Sequence, residues 1–340
     1  MAVRVLIADD SRIVRGVLRS VLERFPDFTV VGEAGDGKRA EQLAKELHPD
    51  VITMDLLMPL MGGIETIEAI MRDCPTPIVV IADLEGAARS VALEATTRGA
   101  LEVFPKPPSG FDEASARALA DTLRMSASMQ LRRRAPTSAR RGSRSSLRRG
   151  PISMVGIVAS TGGPRVLQAI LRALPRALPC PIAIVQHTTA GSTEPLADWL
   201  RKSSGHAVAV AAPGEQLSPG RVIVAPDGAH LTITMKQLVV LDRGPRIDAH
   251  RPSGTLLLKS LAANFRTTAL GVVLSGMGSD GAEGAAAIEA AGGTVLVEDP
   301  ATAVVGGMPA SALARTKSAI VESTDELGAA LSRLLEKASA

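Results

Sequence analysis

The sequence predicts an α/β protein of two domains, each a parallel sheet covered by helices. Three observations lead there. The 340 residues exceed what a single hydrophobic core usually organises. Short β-branched runs alternate with helical patterns, as strands joined by crossover helices require. That alternation lapses between Arg124 and Gly150, a stretch of Arg, Ser, Ala and Gly without hydrophobic period, and resumes at Pro151. The domains are therefore expected at 1–123 and 151–340, with 124–150 as a linker.

In order, the first domain reads VRVLIAD, the helix SRIVRGVLRSVLERF, FTVVGEA, a second helix, VITMD, a third helix and IVVIAD. The second reads ISMVGIVAS, the helix VLQAILRAL, PIAIVQH, a helix near Trp199, ALGVVLSG, a Gly/Ala-rich helix and GGTVLVED. It is expected to be doubly wound and mainly parallel. RVIVAPDG and AHLTITMKQLVVLD read as hairpin strands, an antiparallel addition at one edge.

Composition narrows the function classes. No apolar run approaches a membrane span, and MAVRVLIADD passes straight from a short apolar stretch into carboxylates, unlike a signal peptide. A cytoplasmic protein is expected. Cys74 and Cys180 lie in different halves outside any CxxC pair, so both read as buried thiols. The net charge of +3 hides an asymmetry: residues 124–150 hold nine arginines and no acid, leaving −6 on the rest. Such a block could grip nucleic acid or an anionic surface, but no aromatics interleave it to stack on bases. A solvated linker is the expected reading, and nucleic acid an unlikely partner.

Ligand sites in open parallel sheets gather at the carboxyl ends of strands. In the first domain Asp9 and Asp10 follow the first strand and Asp55 the third. If those strands are neighbours, three carboxylates converge and call for a shared cation; oxygen-only ligands point to Mg²⁺. Asp55 could then attack a phosphoryl group as a carboxylate nucleophile, with Lys106 supplying a point charge for the phosphoryl oxygens. Singly, each aspartate could be a helix cap and the lysine a solvated tip. Asp9-Asp10, Asp55 with Met58-Pro59 and Gly62-Gly63, and Lys106-Pro107 together resemble a response-regulator receiver domain. The resemblance implies a five-stranded parallel (βα)5 sheet, Mg²⁺-dependent phosphorylation of Asp55 by a histidine kinase, and a cis Lys106-Pro107 peptide. One position departs from it: Ala82 stands where the family carries the Thr or Ser that reports phosphorylation.

In the second domain the first strand delivers Ser160 into Thr161-Gly162-Gly163-Pro164, a sharp glycine turn with proline suited to the first helical position. PIAIVQ delivers His187, and ALGVVLSGMGS delivers Asp280 in another glycine-rich turn. Three strand tips thus offer a nucleophile, a base and an orienting carboxylate, as serine hydrolysis needs. A phosphate cradle competes, but no Walker lysine follows and the GxGxxG order is absent. His48 lies in the first domain, and His206, His230 and His250 lie away from the principal strand tips. For the acid, Glu298 and Asp299 compete with Asp280 on position, and periodicity does not separate them.

The strings ASTGGP, VQH, HRPS, SGMGSDGAEG and GMP occur in order from Pro151 to the C-terminus, and they resemble the catalytic domain of the protein-glutamate methylesterases of bacterial chemotaxis. The resemblance implies Ser160 as nucleophile, His187 as base, Asp280 as orienting acid, and the Met277 N–H in an oxyanion hole. Geometry adds the Thr161 N–H, which follows the nucleophile. It further implies hydrolysis of γ-methyl glutamate esters and deamidation of glutamines on chemoreceptor helices, without a cofactor for the esterase. Thr188-Thr189-Ala190-Gly191 replaces the family's proline and aromatic, and Thr255 its acidic residue after HRPS; both are expected at the substrate mouth. The rival is a response regulator acting by binding through its arginines, with an inactive hydrolase domain.

Overall fold

The computed structural model describes residues 2–83, 88–107, 110–128, 151–188 and 191–336. The chain divides into two compact units, Met1–Ala135 and Pro136–Ala340.

The first unit runs β1 (Val3–Ala8), α1 (Arg12–Leu22), β2 (Phe28–Ala34), α2 (Gly37–Leu47), β3 (Val51–Met54), α3 (Gly63–Asp73), β4 (Ile78–Ala82), α4 (Ala88–Arg98), β5 (Glu102–Pro105) and α5 (Glu113–Ala127). Its five parallel strands lie in the order β2-β1-β3-β4-β5. Side chains alternate across a strand, and both faces are dry. Leu6 and Ala8 join Leu43, Ile67 and Ala95 on one side, while Val5 and Ile7 join Leu18, Val21 and Leu119 on the other.

Two expectations change here. Helix α5 continues to Ala127, taking in the first four residues of the expected linker. Arg124 holds it: the guanidinium pairs with Asp27 at 2.5 and 3.0 Å and lies over Phe25 and Phe28. This arginine belongs to the domain and not to the basic stretch; residues 129–150 lie outside the described residues. The Lys106–Pro107 peptide is not cis, and among the described residues only Arg251–Pro252 is. An X–Pro bond prefers trans by about 0.5–1 kcal/mol, too little for sequence position to decide.

The second unit runs β6 (Met154–Ala159), α6 (Gly163–Ala173), β7 (Ile182–Gln186), α7 (Thr193–Ser204), β8 (Ala207–Val210), β9 (Arg221–Val224), β10 (His230–Ile233), β11 (Val239–Asp242), α8 (Gly254–Phe265), a short 3₁₀ turn, β12 (Ala269–Val273), α9 (Ala282–Ala290), β13 (Thr294–Glu298), α10 (Gly307–Arg315), β14 (Ile320–Glu322) and α11 (Leu327–Glu336). Seven parallel strands follow the order β14-β13-β12-β6-β7-β9-β8. The antiparallel hairpin is present as β10–β11, a two-stranded sheet of its own. RVIV, expected in a hairpin, instead enters the main sheet between β7 and β8, where Val222, Ile223 and Val224 are fully buried. A four-residue apolar run reads alike for either sheet. Helix α8 ties the hairpin down: Asn264 donates to the Ile233 carbonyl at 2.9 Å, and the Ile233 N–H donates to Ser260 Oγ at 3.1 Å.

Candidate functional site

Register places the expected groups. Ala159 pairs with Gln186, so Ser160 and His187 emerge side by side. Val158 pairs with Val273 on the other flank, and beyond it the Ser160 N–H donates to the Ser275 carbonyl at 2.9 Å. The chain winds away from β6 in opposite directions through β7 and β12, so this is the switch point at which open α/β sheets bind ligands. Gly162 turns the chain with φ +81, and a side chain there would collide with Val304. A Cβ on Gly276 would come within 2.7 Å of Ser160 Cβ, so the loop after β12 closes directly onto the serine. Among the described residues the Met277 N–H in that loop has no backbone partner.

His187 turns Nε2 to Asp280 Oδ2 at 2.9 Å, while its buried Nδ1 has no partner among the described residues. Asp280 is 1% exposed and accepts from four further donors: Ser253 Oγ at 3.0 Å and the N–H groups of Gly254, Thr255 and Gly281 at 2.6, 2.9 and 3.0 Å. Gly254 and Thr255 open α8, so the carboxylate occupies a helix N-terminus. Burial pushes this carboxyl up, but the His187 imidazole and the Thr255 and Gly254 N–H groups outweigh it and hold it well below the usual range.

The rival acids do other work. Glu298 is fully buried, taking the Ser275 N–H at 2.6 Å and the Thr324 hydroxyl at 2.5 Å; burial, reinforced by the charge of Asp299, raises it. Asp299 accepts the Ala301 N–H at 2.9 Å in a local turn.

Several contributors escaped the sequence reading. His250, set aside as distant from the strand tips, stacks on His187 with ring centroids 3.9 Å apart and planes within 2°. His230 accepts the Ser253 N–H on Nδ1 at 3.2 Å and donates from Nε2 to the Pro245 carbonyl at 2.9 Å, steadying the serine beneath Asp280. The available signal was HRPS itself, whose serine precedes an apolar helical pattern as an N-cap does. Thr255 is not at a mouth: it is 3% exposed, and its Oγ1 accepts the Gly281 N–H at 2.8 Å. Its place beside Asp280 explains why no solvent-facing role suits it. Thr188 and Thr193 donate to Asp227 Oδ1 at 3.3 and 2.6 Å, and the Gly191 N–H to Oδ2 at 2.6 Å. Thr189 and Ala190 lie outside the described residues.

In the first unit Ala8 pairs with Met54, so Asp9 and Asp55 follow on adjacent tips. Lys106 Nζ bridges them, 3.2 Å from Asp9 Oδ2 and 2.8 Å from Asp55 Oδ1. Burial and then the Asp55 charge raise the Asp9 carboxyl, although Lys106 pulls the other way. Burial disfavours the Lys106 charge, but its bonds to Asp55 and Asp9 hold the ammonium above its usual value. The expected three-carboxylate cluster is not assembled: Asp10 is exposed, and among the described residues no three acidic, His or Cys side chains sit together as a metal site. Successive residues of an extended chain project to opposite sides, which separates Asp10 from Asp9. The oxygen-only pair Asp9/Asp55, with its raised member, still suits a hard divalent cation. Ala82 ends β4 opposite Pro105, where its methyl can donate nothing.

Both units have known relatives. Residues 155–331 match the CheB methylesterase family and residues 5–115 the response regulator receiver domain. A protein-glutamate methylesterase/protein-glutamine glutaminase of Myxococcus xanthus is 38% identical over 322 residues, covering 90% of this chain and 89% of its own. One of Anaeromyxobacter dehalogenans is 40% identical over 321 residues, covering 92% and 93%. The crystal structure of the Thermotoga maritima CheB methylesterase catalytic domain superposes with TM-score 0.51 at 36% identity, over 54% of this chain and 98% of that one.

Proposed function

The chain belongs to the protein-glutamate methylesterase/protein-glutamine glutaminase family, and from that premise we propose that it removes γ-methyl esters from glutamates of chemoreceptor cytoplasmic helices and deamidates particular glutamines there. The observation that carries this reading is the buried Asp280 carboxylate, held by four donors of its own unit and turned onto His187 Nε2. With Nε2 engaged, the unpartnered Nδ1 is the nitrogen left to act as base.

Ser160 Oγ attacks the γ-carbonyl carbon as its proton passes to His187 Nδ1. The carbonyl oxygen becomes an oxyanion facing the N–H groups of Met277 and Thr161. Collapse breaks the ester bond, and the leaving methoxide takes the proton from His187 to depart as methanol. Water then gives a proton to His187 and attacks the acyl carbon; Ser160 regains the proton and glutamate is freed. From glutamine the leaving group is ammonia.

Control belongs to the first unit. A sensor histidine kinase donates a phosphoryl group to Asp55, and Lys106 pairs with the phosphoryl oxygens. Asp9 and Asp55 would hold Mg²⁺, which when bound would neutralise carboxylates and phosphoryl oxygens. Residues 1–123 act as the switch and 151–340 as the hydrolase, joined through the arginine-rich segment. The protein works in the cytoplasm; among the described residues no helix is long and apolar enough to cross a membrane.

The test is methanol release from a methyl-labelled receptor fragment. Ser160→Ala should lower it by about 10⁴-fold or more with the fold intact. Retention of more than about a tenth of the activity would remove Ser160 as nucleophile.

A further inference from the structure

Gln186 is the last residue of β7, and its side chain does something its neighbours in the strand do not. Ala183 and Val185 face the core under α8, α9 and α10. Alternation therefore turns Ile182, Ile184 and Gln186 to the opposite face, towards α6. The approach is close: a Cβ on Gly163, the first residue of α6, would lie 2.2 Å from Gln186 Oε1. At 3% exposure an amide in this layer is costly unless its groups find partners.

Its partners are the two expected reacting residues. Nε2 donates to the Ser160 carbonyl at 2.8 Å and to the His187 carbonyl at 2.8 Å. Both are acceptors, so only the NH₂ end of the amide can face them, and this settles the orientation. Oε1 is buried with no partner among the described residues. An amide that leaves its acceptor unsatisfied in order to place its two donors is held there by those donors. The β6–β7 ladder ends at the pair Ala159–Gln186, so this clamp carries the registration of the strands one residue further, to Ser160 and His187.

Resting on the serine-esterase reading above, we propose that Gln186 is a positioning residue that fixes the Ser160–Thr161 peptide plane and the His187 backbone in mutual register. A peptide is planar, so holding the Ser160 carbonyl aims the Thr161 N–H in the opposite direction. That N–H is the oxyanion donor that follows the nucleophile. The Ser160 carbonyl also accepts the Gly163 N–H at 2.8 Å, so the turn and the clamp act on the same oxygen. Gln186 touches neither substrate nor reacting atoms; it acts through the peptide that does.

Gln186→Met keeps the length and removes both donors, and Gln186→Glu keeps the shape and restores one donor only when protonated. Both are made in the full chain and assayed beside Ser160→Ala for methanol release, with thermal unfolding as a check on folding. For Gln186→Met, kcat should fall about 10²-fold, the scale of a misplaced oxyanion donor, with KM for the receptor fragment within about twofold of wild type. For Gln186→Glu, the ratio of its kcat to that of wild type should climb several-fold as pH falls from about 9 to 6, because protonation returns a donor. A purely structural role would not produce that ratio, and it can be read on the glutamate variant even if the methionine variant does not fold. A methionine variant within about threefold of wild-type kcat, a loss confined to KM, or a flat ratio for the glutamate variant would overturn the positioning role. Full activity in Ser160→Ala would instead overturn the serine-esterase reading on which it rests.

Discussion

Two buried aspartates, Asp9 directly after β1 and Asp280 in the loop between β12 and α9, meet opposite fates in the two units. Asp280 is surrounded by donors: an imidazole, a hydroxyl and three backbone N–H groups. Its carboxyl is depressed, and it is a fixed negative charge whose only adjustable partner is His187. Asp9 shares one lysine with Asp55 and, among the described residues, otherwise accepts only the Ser11 N–H; its carboxyl is raised. A carboxylate with donors to spare orients a neighbour, whereas one that is short of positive charge is suited to receive a cation and respond to it. The hydrolase is built as a rigid electrostatic frame, and the receiver as an under-compensated one.

The largest effect that could break this contrast is chemical. Asp280→Asn should lower turnover by about 10³- to 10⁴-fold by releasing the His187 ring, while Asp299→Asn should leave it within about twofold. Comparable losses from the two variants would deny Asp280 its special place.

Regulation comes next in size. Phosphorylation should activate the esterase less than removal of residues 1–150, because Ala82 withholds a charge-assisted hydrogen bond of about 1.5–3 kcal/mol from the phosphorylated state. Ala82→Thr should widen the phosphorylation-dependent gain. Initial methanol rates for wild type, the truncation and Ala82→Thr, with and without a small phosphodonor and Mg²⁺, decide it. Equal rates for phosphorylated wild type and the truncation, unmoved by the threonine, would show a switch that needs no hydroxyl.

Mg²⁺ should separate the units by stability. At about ten times its dissociation constant it should stabilise the first unit by about 1.4 kcal/mol and leave the second unchanged. Calorimetric scans with Mg²⁺ and with EDTA would show one transition moving; two moving, or neither, contradicts the contrast.

The smallest effect is the pH dependence, which should have opposite signs. The depressed Asp280 contributes stability that is present above its unfolded value, near 4, and lost as pH falls through the lower folded value. The raised Asp9 contributes stability present below that unfolded value and lost as pH rises through the folded one. At pH 7 without metal, Asp280→Asn should therefore lower the unfolding midpoint of the second unit, and Asp9→Asn should raise that of the first by roughly a few degrees. Shifts of the same sign would refute the assignment of surplus and deficit.

Much of this was legible beforehand for a simple reason. A parallel sheet covered by helices follows from β-branched runs alternating with helical periods, and sites lie where strands end. Asp9, Asp55, Lys106, Ser160 and His187 could thus be located before their contacts were known. Chain order does not say which side of a strand tip a neighbour faces, so it does not separate Asp10 from Asp9, and a four-residue run such as RVIV does not reveal which sheet it joins. Nor does chain order reveal what caps a distant helix, so Ser253 and His230 have no legible role in it and Thr255 is expected at a mouth when it lies buried beside Asp280.

By itself the amino-acid sequence determined two α/β units, the carboxyl-terminal edges where chemistry gathers, and the residue types present there. The tertiary structure pairs His187 with Asp280, the acid that the family resemblance implies, and gives the rivals Glu298 and Asp299 other partners. It also decided that Nε2 and not Nδ1 faces the carboxylate, that His250 stacks on the ring, and that Gln186 clamps Ser160 to His187. The donors and not the burial separate the two acids, since Glu298 is as buried as Asp280 but is raised where Asp280 is lowered. Both depend on which backbone N–H groups converge from segments far apart in the chain, which residue identity and spacing do not encode.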